Sequence, residues 1–126
     1  MKVGRWAWGL AVAAIAATSP AFAQTDWIEV DYGNAAGCSF AVEGIAEADD
    51  VKLLTPQAYE TYATYCEFAS VSPLTNMGHA ITAICAHEGE VELTVSLMRV
   101  VKSHERADGY DVYDADGLQW GAVDRC

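Results

Sequence analysis

The stretch Cys66–Leu97, CEFASVSPLTNMGHAITAICAHEGEVELTVSL, reads as three strands separated by two turns. SPLTNMG is a cluster of turn-forming residues, and HEGE holds the glycine that a hairpin turn needs. His79–Ala86 is predicted to be a strand with Ile81, Ala83 and Cys85 on one face. The pattern predicts antiparallel pairing of consecutive strands.

The segment after the second turn gives the strongest strand signal. Four apolar residues alternate with Glu92, Thr94 and Ser96: Val91, Leu93, Val95 and Leu97. Such alternation is typical of a half-buried strand, so we expect the apolar residues to face inward. The alternation is lost near Met98–Val101, which indicates a bulge or the end of the buried part.

Weaker signals flank this region. Short strands are predicted within Trp27–Gly33, from Cys38 to Val42 and at Val51–Leu54, and the acidic patch of Glu47, Asp49 and Asp50 is predicted to be a loop. One helical turn at Pro56–Ala58 followed by a strand to Val71 is favoured over a longer helix there.

The last strands form a hairpin in YDVYDADGLQW, Tyr110–Trp120. Asp116-Gly117 is the signature of a two-residue turn, which would place Tyr113 opposite Trp120. The predicted fold is mainly β: a small antiparallel meander, partly open barrel or sandwich, stapled by two disulfides, with at most one short helix.

The chain start has the pattern of a secretory signal peptide, residues 1–23. Lys2 and Arg5 precede a short apolar run, and Ala21–Ala23 is an A-x-A cleavage site. The run is too short to span a bilayer, so no stable membrane insertion is expected after cleavage. Residues 24–126 are therefore predicted to be one exported domain, in the periplasm or the medium.

The charge of the predicted domain is strongly negative. The whole chain has a net charge of −11, and removing Lys2 and Arg5 makes it −13. Such a surface repels nucleic acid and favours a cationic partner, here a cationic protein of the cell envelope. The alternative, which the charge alone favours, is that it serves only to keep the protein in solution.

All four cysteines lie after the signal peptide: Cys38, Cys66, Cys85 and Cys126. An even count in an oxidising compartment predicts two disulfides. Three pairings are open, and Cys66–Cys85 would face across a hairpin. We favour Cys38–Cys66 and Cys85–Cys126, because these would tie the N-terminal third and the chain end to the sheet.

No local motif predicts a catalytic residue, a metal site or a cofactor. Cys85-x-His87 lacks the paired spacing of a zinc site, and Asp114–Gly117 lacks the outer carboxylates of a calcium loop. Three aromatics are candidates for facing a ligand: Trp27, Tyr113 and Trp120. The alternative to a protein-binding role is sequestration of a metal or small ligand by the clustered acids and the histidines His79, His87 and His104.

Several motifs of the last 70 or so residues occur together. They are Tyr59-Glu60, Cys66 with Phe68, Cys85 with Glu88-Gly89, the strand Val91–Leu97 and Arg125-Cys126. The combination resembles small exported four-cysteine proteins of proteobacteria, whose function is uncharacterised. A looser likeness, at the level of the fold, is to periplasmic inhibitors of lysozyme. The resemblance implies nothing about activity. The negative charge and the predicted export favour a non-enzymatic binding or envelope accessory protein, with inhibition of a basic cell-wall hydrolase as its specific form.

Overall fold

The computed structural model of the chain describes residues 27–46, 48–75 and 78–126. The predicted signal peptide lies outside the described residues, as does Glu47 of the predicted acidic loop. Among the described residues, no helix combines the length and apolarity needed to span a bilayer.

The described residues form a closed antiparallel barrel of eight strands and one helix. In chain order the elements are β1 (Tyr32–Gly33), α1 (Ala35–Glu43), β2 (Lys52–Leu54), β3 (Ala58–Thr61), β4 (Thr64–Pro73), β5 (Gly78–His87), β6 (Thr94–Lys102), β7 (Gly109–Tyr113) and β8 (Gln119–Arg125). Each strand pairs with the next, and β8 closes the barrel by pairing with β1. The prediction of a mainly β, antiparallel fold with one short helix is confirmed.

The barrel interior is a single apolar core. It contains one inward-facing row from each long strand together with the N-terminal segment, and its members include Ile28, Leu54, Tyr59, Phe68, Ile81, Met98, Val100, Val112 and Val123. No polar or charged residue among those described is buried. Burial of the apolar rows therefore fixes which face of each strand points inward.

The segment predicted to be a strand from Cys38 to Val42 is instead α1, so that prediction is wrong. Asn34 caps the helix by accepting a hydrogen bond from the Gly37 N–H at 2.7 Å. Gly44 ends the helix in the left-handed conformation, with φ 71°. These two caps favour a helix over the strand that the apolar alternation predicts. As a consequence, Val42 points into solvent rather than into the core.

The four cysteines form two disulfides: Cys38–Cys126, the terminal disulfide, and Cys66–Cys85, the cross-strand disulfide. The prediction of two disulfides is confirmed, but the favoured pairing is wrong. Strand register decides the outcome, since Cys66 and Cys85 lie directly opposite one another with Cα atoms 4.0 Å apart. The Cys126 N–H donates to the Asp31 carbonyl, which brings the chain end beside α1 and Cys38.

The predicted inward face of the β6 region is also wrong. All four apolar residues predicted to point inward are exposed: Val91, Leu93, Val95 and Leu97. Met98 and Val100 are buried instead, so the even-numbered residues of β6 face the core. The pairing with β5 continues without a break to Thr94 opposite Cys85, and no bulge resets the phase. Because Met98 and Val100 point into the core, Val95 and Leu97, which have the opposite phase along the strand, point outward.

Two hairpins differ from prediction. The strand expected to run to Val71 is broken by a tight turn at Tyr62-Ala63, which separates β3 from β4. In the last hairpin Tyr113 pairs with Gln119 rather than Trp120. A register shift leaves Trp120 unpaired, so its ring turns to Tyr59 with centroids 5.0 Å apart. The strands predicted at Val51–Leu54 and His79–Ala86 correspond to β2 and β5 and are confirmed.

Candidate functional site

The outer surface of the barrel around β6 carries an apolar patch, which we call the β6 face. Its members share high exposure and are Ile84, Val91, Leu93, Val95, Leu97 and Leu118. Val95 is 74% exposed and Leu97 59%, and Ile84 pairs directly with Val95 across the sheet. Val95, Leu97 and Leu118 line one groove, and exposed apolar side chains that lie together typically mark an interaction site. Sequence reasoning assigned four of these residues to the core.

A groove of about 600 Å³ runs along the β6 face. Val95 and Leu97 form one wall, and Leu118 and Trp120 of the β7–β8 hairpin form part of the other. The groove exists because the hairpin turns away from β6 after Tyr113, the last β7 residue that pairs with it. Its size falls within the range of ligand-binding clefts.

The hairpin that forms the second wall is held in shape by Asp114. The Asp114 carboxylate accepts hydrogen bonds from the backbone N–H groups of Asp116 and Leu118, each at 2.9 Å. Gly117 has a φ of 81°, which glycine adopts without strain. The turn is therefore wider than the predicted two-residue turn, and it presents Leu118 to the groove.

Negative charge surrounds the β6 face. Asp114 and Asp116 line the groove itself. Glu67 on β4 pairs with Ile84, and Glu92 lies between Val91 and Leu93 in the sequence. The nearest cation along β6 is Arg99, whose guanidinium lies 4.9 Å from the centroid of the Tyr113 ring. An apolar strip with carboxylates along it suits a partner segment that is both apolar and cationic.

The three aromatics predicted to face a ligand do not form one site. Trp120 lines the groove and Tyr113 lies beyond its Arg99 end, so these two lie on the same side of the barrel. Trp27 is half-buried and packs against the barrel core, with its ring on Phe68 and His79. Its indole N–H donates to the Pro56 carbonyl at 3.0 Å, which fixes the N-terminal segment over the barrel.

The titratable groups near Trp27 are perturbed mainly by burial. Burial lowers the pKa of His79 and raises the pKa values of Tyr32 and Tyr110. The negative charge of Asp108 also raises the pKa values of both tyrosines. Tyr32 and Tyr110 meet edge to face with centroids 4.9 Å apart. The arrangement is that of an aromatic packing cluster, in which each shift arises first from loss of water.

The histidines do not combine into a metal centre. His87 Nδ1 lies 2.9 Å from the Thr64 hydroxyl and its Nε2 lies 3.1 Å from the Thr94 hydroxyl, so both ring nitrogens are engaged. Cys85, two residues earlier, is in a disulfide. Within the described ranges, no group of three His, Cys, Asp or Glu side chains is arranged to hold a metal ion.

A second groove, of about 400 Å³, lies at the other end of β6. It is lined by three of the chain's few basic side chains and histidines: Arg99, Lys102 and His104. Asp111 also lines it and accepts a hydrogen bond from Arg106 at 3.1 Å. Its charge is therefore mixed, and nothing in it points to one ligand.

Comparison with known proteins adds no relative: no protein-family model, curated protein or solved structure matches this chain. The resemblance to exported four-cysteine proteins and the likeness to lysozyme inhibitors stay predictions.

Proposed function

We propose that this chain is a non-enzymatic binding module, exported to the cell envelope, that docks a cationic protein on its β6 face. The observation that carries the proposal is the exposure of Val95, Leu97 and Leu118 along a groove that Asp114 and Asp116 also line. The two disulfides fit an oxidising compartment and hold the barrel rigid under the face.

The roles of the two kinds of side chain differ. The net charge of −13 beyond the signal peptide would steer a cationic protein toward the chain and speed association at low salt. Burial of Val95, Leu97 and Leu118 at the interface would supply the affinity, because exposed apolar area is removed from water. The specific form of the proposal is inhibition of a basic cell-wall hydrolase.

The test uses the disulfide-bonded chain from Gln24 to Cys126 and lysozyme as the basic hydrolase. Binding is expected at about 20 mM salt and should weaken at least about tenfold at about 500 mM, where screening is strong. Inhibition of lysozyme activity should follow the same salt dependence. Absence of binding at low salt would remove the hydrolase form of the proposal.

Matched variants locate the binding surface. The double variant Val95→Ser/Leu97→Ser should weaken binding by about tenfold or more, since it removes the apolar wall of the groove. Val42→Ser is the control, because Val42 is an even more exposed apolar residue on α1, which does not line the groove. Equal loss in both variants, or none in the double variant, would contradict docking on the β6 face.

A further inference from the structure

The first half of β6 is an open strand edge. β7 pairs with β6 only from Arg99 to Lys102, whereas β6 begins at Thr94. On the side away from β5, the segment Thr94–Met98 therefore has no neighbouring strand among the described residues. The groove of the β6 face occupies that side.

The direction of the backbone groups follows from the antiparallel ladder. The Ser103 N–H donates to the Gly109 carbonyl at 2.9 Å, so Ser103 is hydrogen-bonded on the β7 side. Hydrogen-bonded residues alternate along an antiparallel strand, and Arg99, Leu97 and Val95 therefore direct their N–H and C=O groups to the same side. Opposite Arg99 stands Tyr113, but no described backbone group pairs with Leu97 or Val95 on that side.

The other end of the sheet gives the same phase. The Glu88 N–H donates to the Ala63 carbonyl, which makes Cys66 and Cys85 a non-hydrogen-bonded pair of β4 and β5. Cys85 then directs its backbone groups to β6, where it pairs with Thr94. The backbone groups of Thr94 bond to β5, so the N–H and C=O groups of the next residue, Val95, point toward the groove.

From this edge we infer that the cationic partner binds by adding an extended segment as a strand beside Thr94–Met98. This inference rests on the proposed function and specifies how the partner is held. Two donors and two acceptors, on Val95 and Leu97, would pair with the backbone of the added segment. Its apolar side chains would extend the row on the β6 face, and lysine or arginine side chains would reach Asp114 and Asp116.

The edge lacks the features that protect natural sheet edges. Exposed edges usually carry lysine, proline or a bulge that discourages pairing. Here the edge residues are Val95, Ser96 and Leu97, in a continuous register with β5. A second copy of the chain could pair with the same edge, but two chains of net charge −13 repel one another, which favours a cationic occupant.

The test is residue-resolved amide hydrogen exchange on the disulfide-bonded chain with the peptide acetyl-Lys-Val-Lys-Val-Lys-amide. In the free protein the amides of Val95 and Leu97 should exchange quickly, and a saturating amount of peptide should slow both at least about tenfold. Thr94 and Ser96 are internal controls, because their amides already bond to β5 and should not change. No substitution is needed, so loss of folding cannot confound the result.

A second peptide, with both valines N-methylated, keeps the charges and side chains but lacks those two N–H donors. It should bind at least about tenfold more weakly. Unchanged exchange at Val95 and Leu97, or equal affinity of the two peptides, would overturn strand addition, as would failure of the first peptide to bind. The lysozyme experiment with its matched variants judges the β6 face separately. A dimer of the free chain that protects Val95 and Leu97 would show that the occupant is a second copy, and would also overturn the inference.

Discussion

Substitution of two valines in the same strand tests which face of β6 is buried. Val95 is 74% exposed, whereas Val100 is 0% exposed. Both are replaced by alanine, so the same two methyl groups are lost from the same strand. If the alternation from Val91 to Leu97 marked the core, as the sequence predicts, Val95→Ala would be the more damaging change.

The structure gives the opposite order, with magnitudes that follow from burial. Removing two fully buried methyl groups at Val100 costs about 1.6 kcal/mol in transfer free energy, and the cavity raises the loss to about 2–3 kcal/mol. Only about a quarter of Val95 is buried, so the same transfer cost there is about 0.4 kcal/mol. The lower strand propensity of alanine adds several tenths of a kcal/mol to both variants and largely cancels in the comparison.

The assay is urea unfolding of the oxidised protein, followed by circular dichroism. The two variants should differ by about 2 kcal/mol in free energy of unfolding, with equal slopes against urea concentration. For a domain of this size, that difference corresponds to about 8–16 °C in Tm. Equal losses, or a larger loss for Val95→Ala, would refute the assignment of the β6 face to the outer surface, and the proposed docking site with it.

Three further predictions concern parts of the barrel away from the β6 face. Replacing the terminal disulfide by Cys38→Ala/Cys126→Ala should lower the free energy of unfolding by about 4–5 kcal/mol, because the bridged residues are 88 positions apart and the unfolded chain gains that much conformational entropy; a loss below about 2 kcal/mol in urea unfolding would contradict this. Burial lowers the pKa of His79 below its usual 6.5, so the folded state binds fewer protons and stability is lost as the pH falls below that value. Tm should drop between about pH 7.5 and 5.5, and His79→Phe should reduce that drop; an unchanged drop in the variant would show that other groups cause it. Arg106→Ala should lower the free energy of unfolding in urea by about 1 kcal/mol, since the guanidinium bridges carboxylates on β7 and β8 in a partly exposed site. High salt should reduce this loss, and a loss that does not change with salt would show that the contribution is not electrostatic.

The sequence predicts the fold where local and long-range preferences agree. β5 is such a case, because turn residues precede it, HEGE follows it and its apolar residues alternate. Prediction fails where two local signals compete. Cys38, Phe40 and Val42 alternate like a strand, but the caps at Asn34 and Gly44 stabilise a helix, and alternation alone does not report the caps.

The disulfide pairing and the candidate site depend on register, which the sequence specifies only weakly. Cys66 and Cys85 lie opposite one another because the β4–β5 register shifts between Phe68 and Ser70, and no sequence signal indicates that shift. The regular alternation from Val91 to Leu97 predicts that these apolar residues face inward, which is wrong. Met98 and Val100 are apolar and alternate in the opposite phase, so they indicate the other face of the strand. The structure has that arrangement, with Met98 opposite the buried Ile81 of β5.

The outward side of the first half of β6 differs from that of several other strands in the barrel. The outward residues of β3, β7 and β8 include the charged Glu60, Asp111 and Asp124, as expected for strands with one solvated face. β6 is apolar at Val95 and Leu97 on the outside and at the buried positions on the inside. Exposed apolar side chains that lie together typically mark an interaction surface. The barrel core covers one face of β6, and the described residues leave Val95 and Leu97 exposed on the other. Under the proposed function a docked partner would cover that face, which would explain why an acidic domain carries exposed apolar side chains beside an open strand edge.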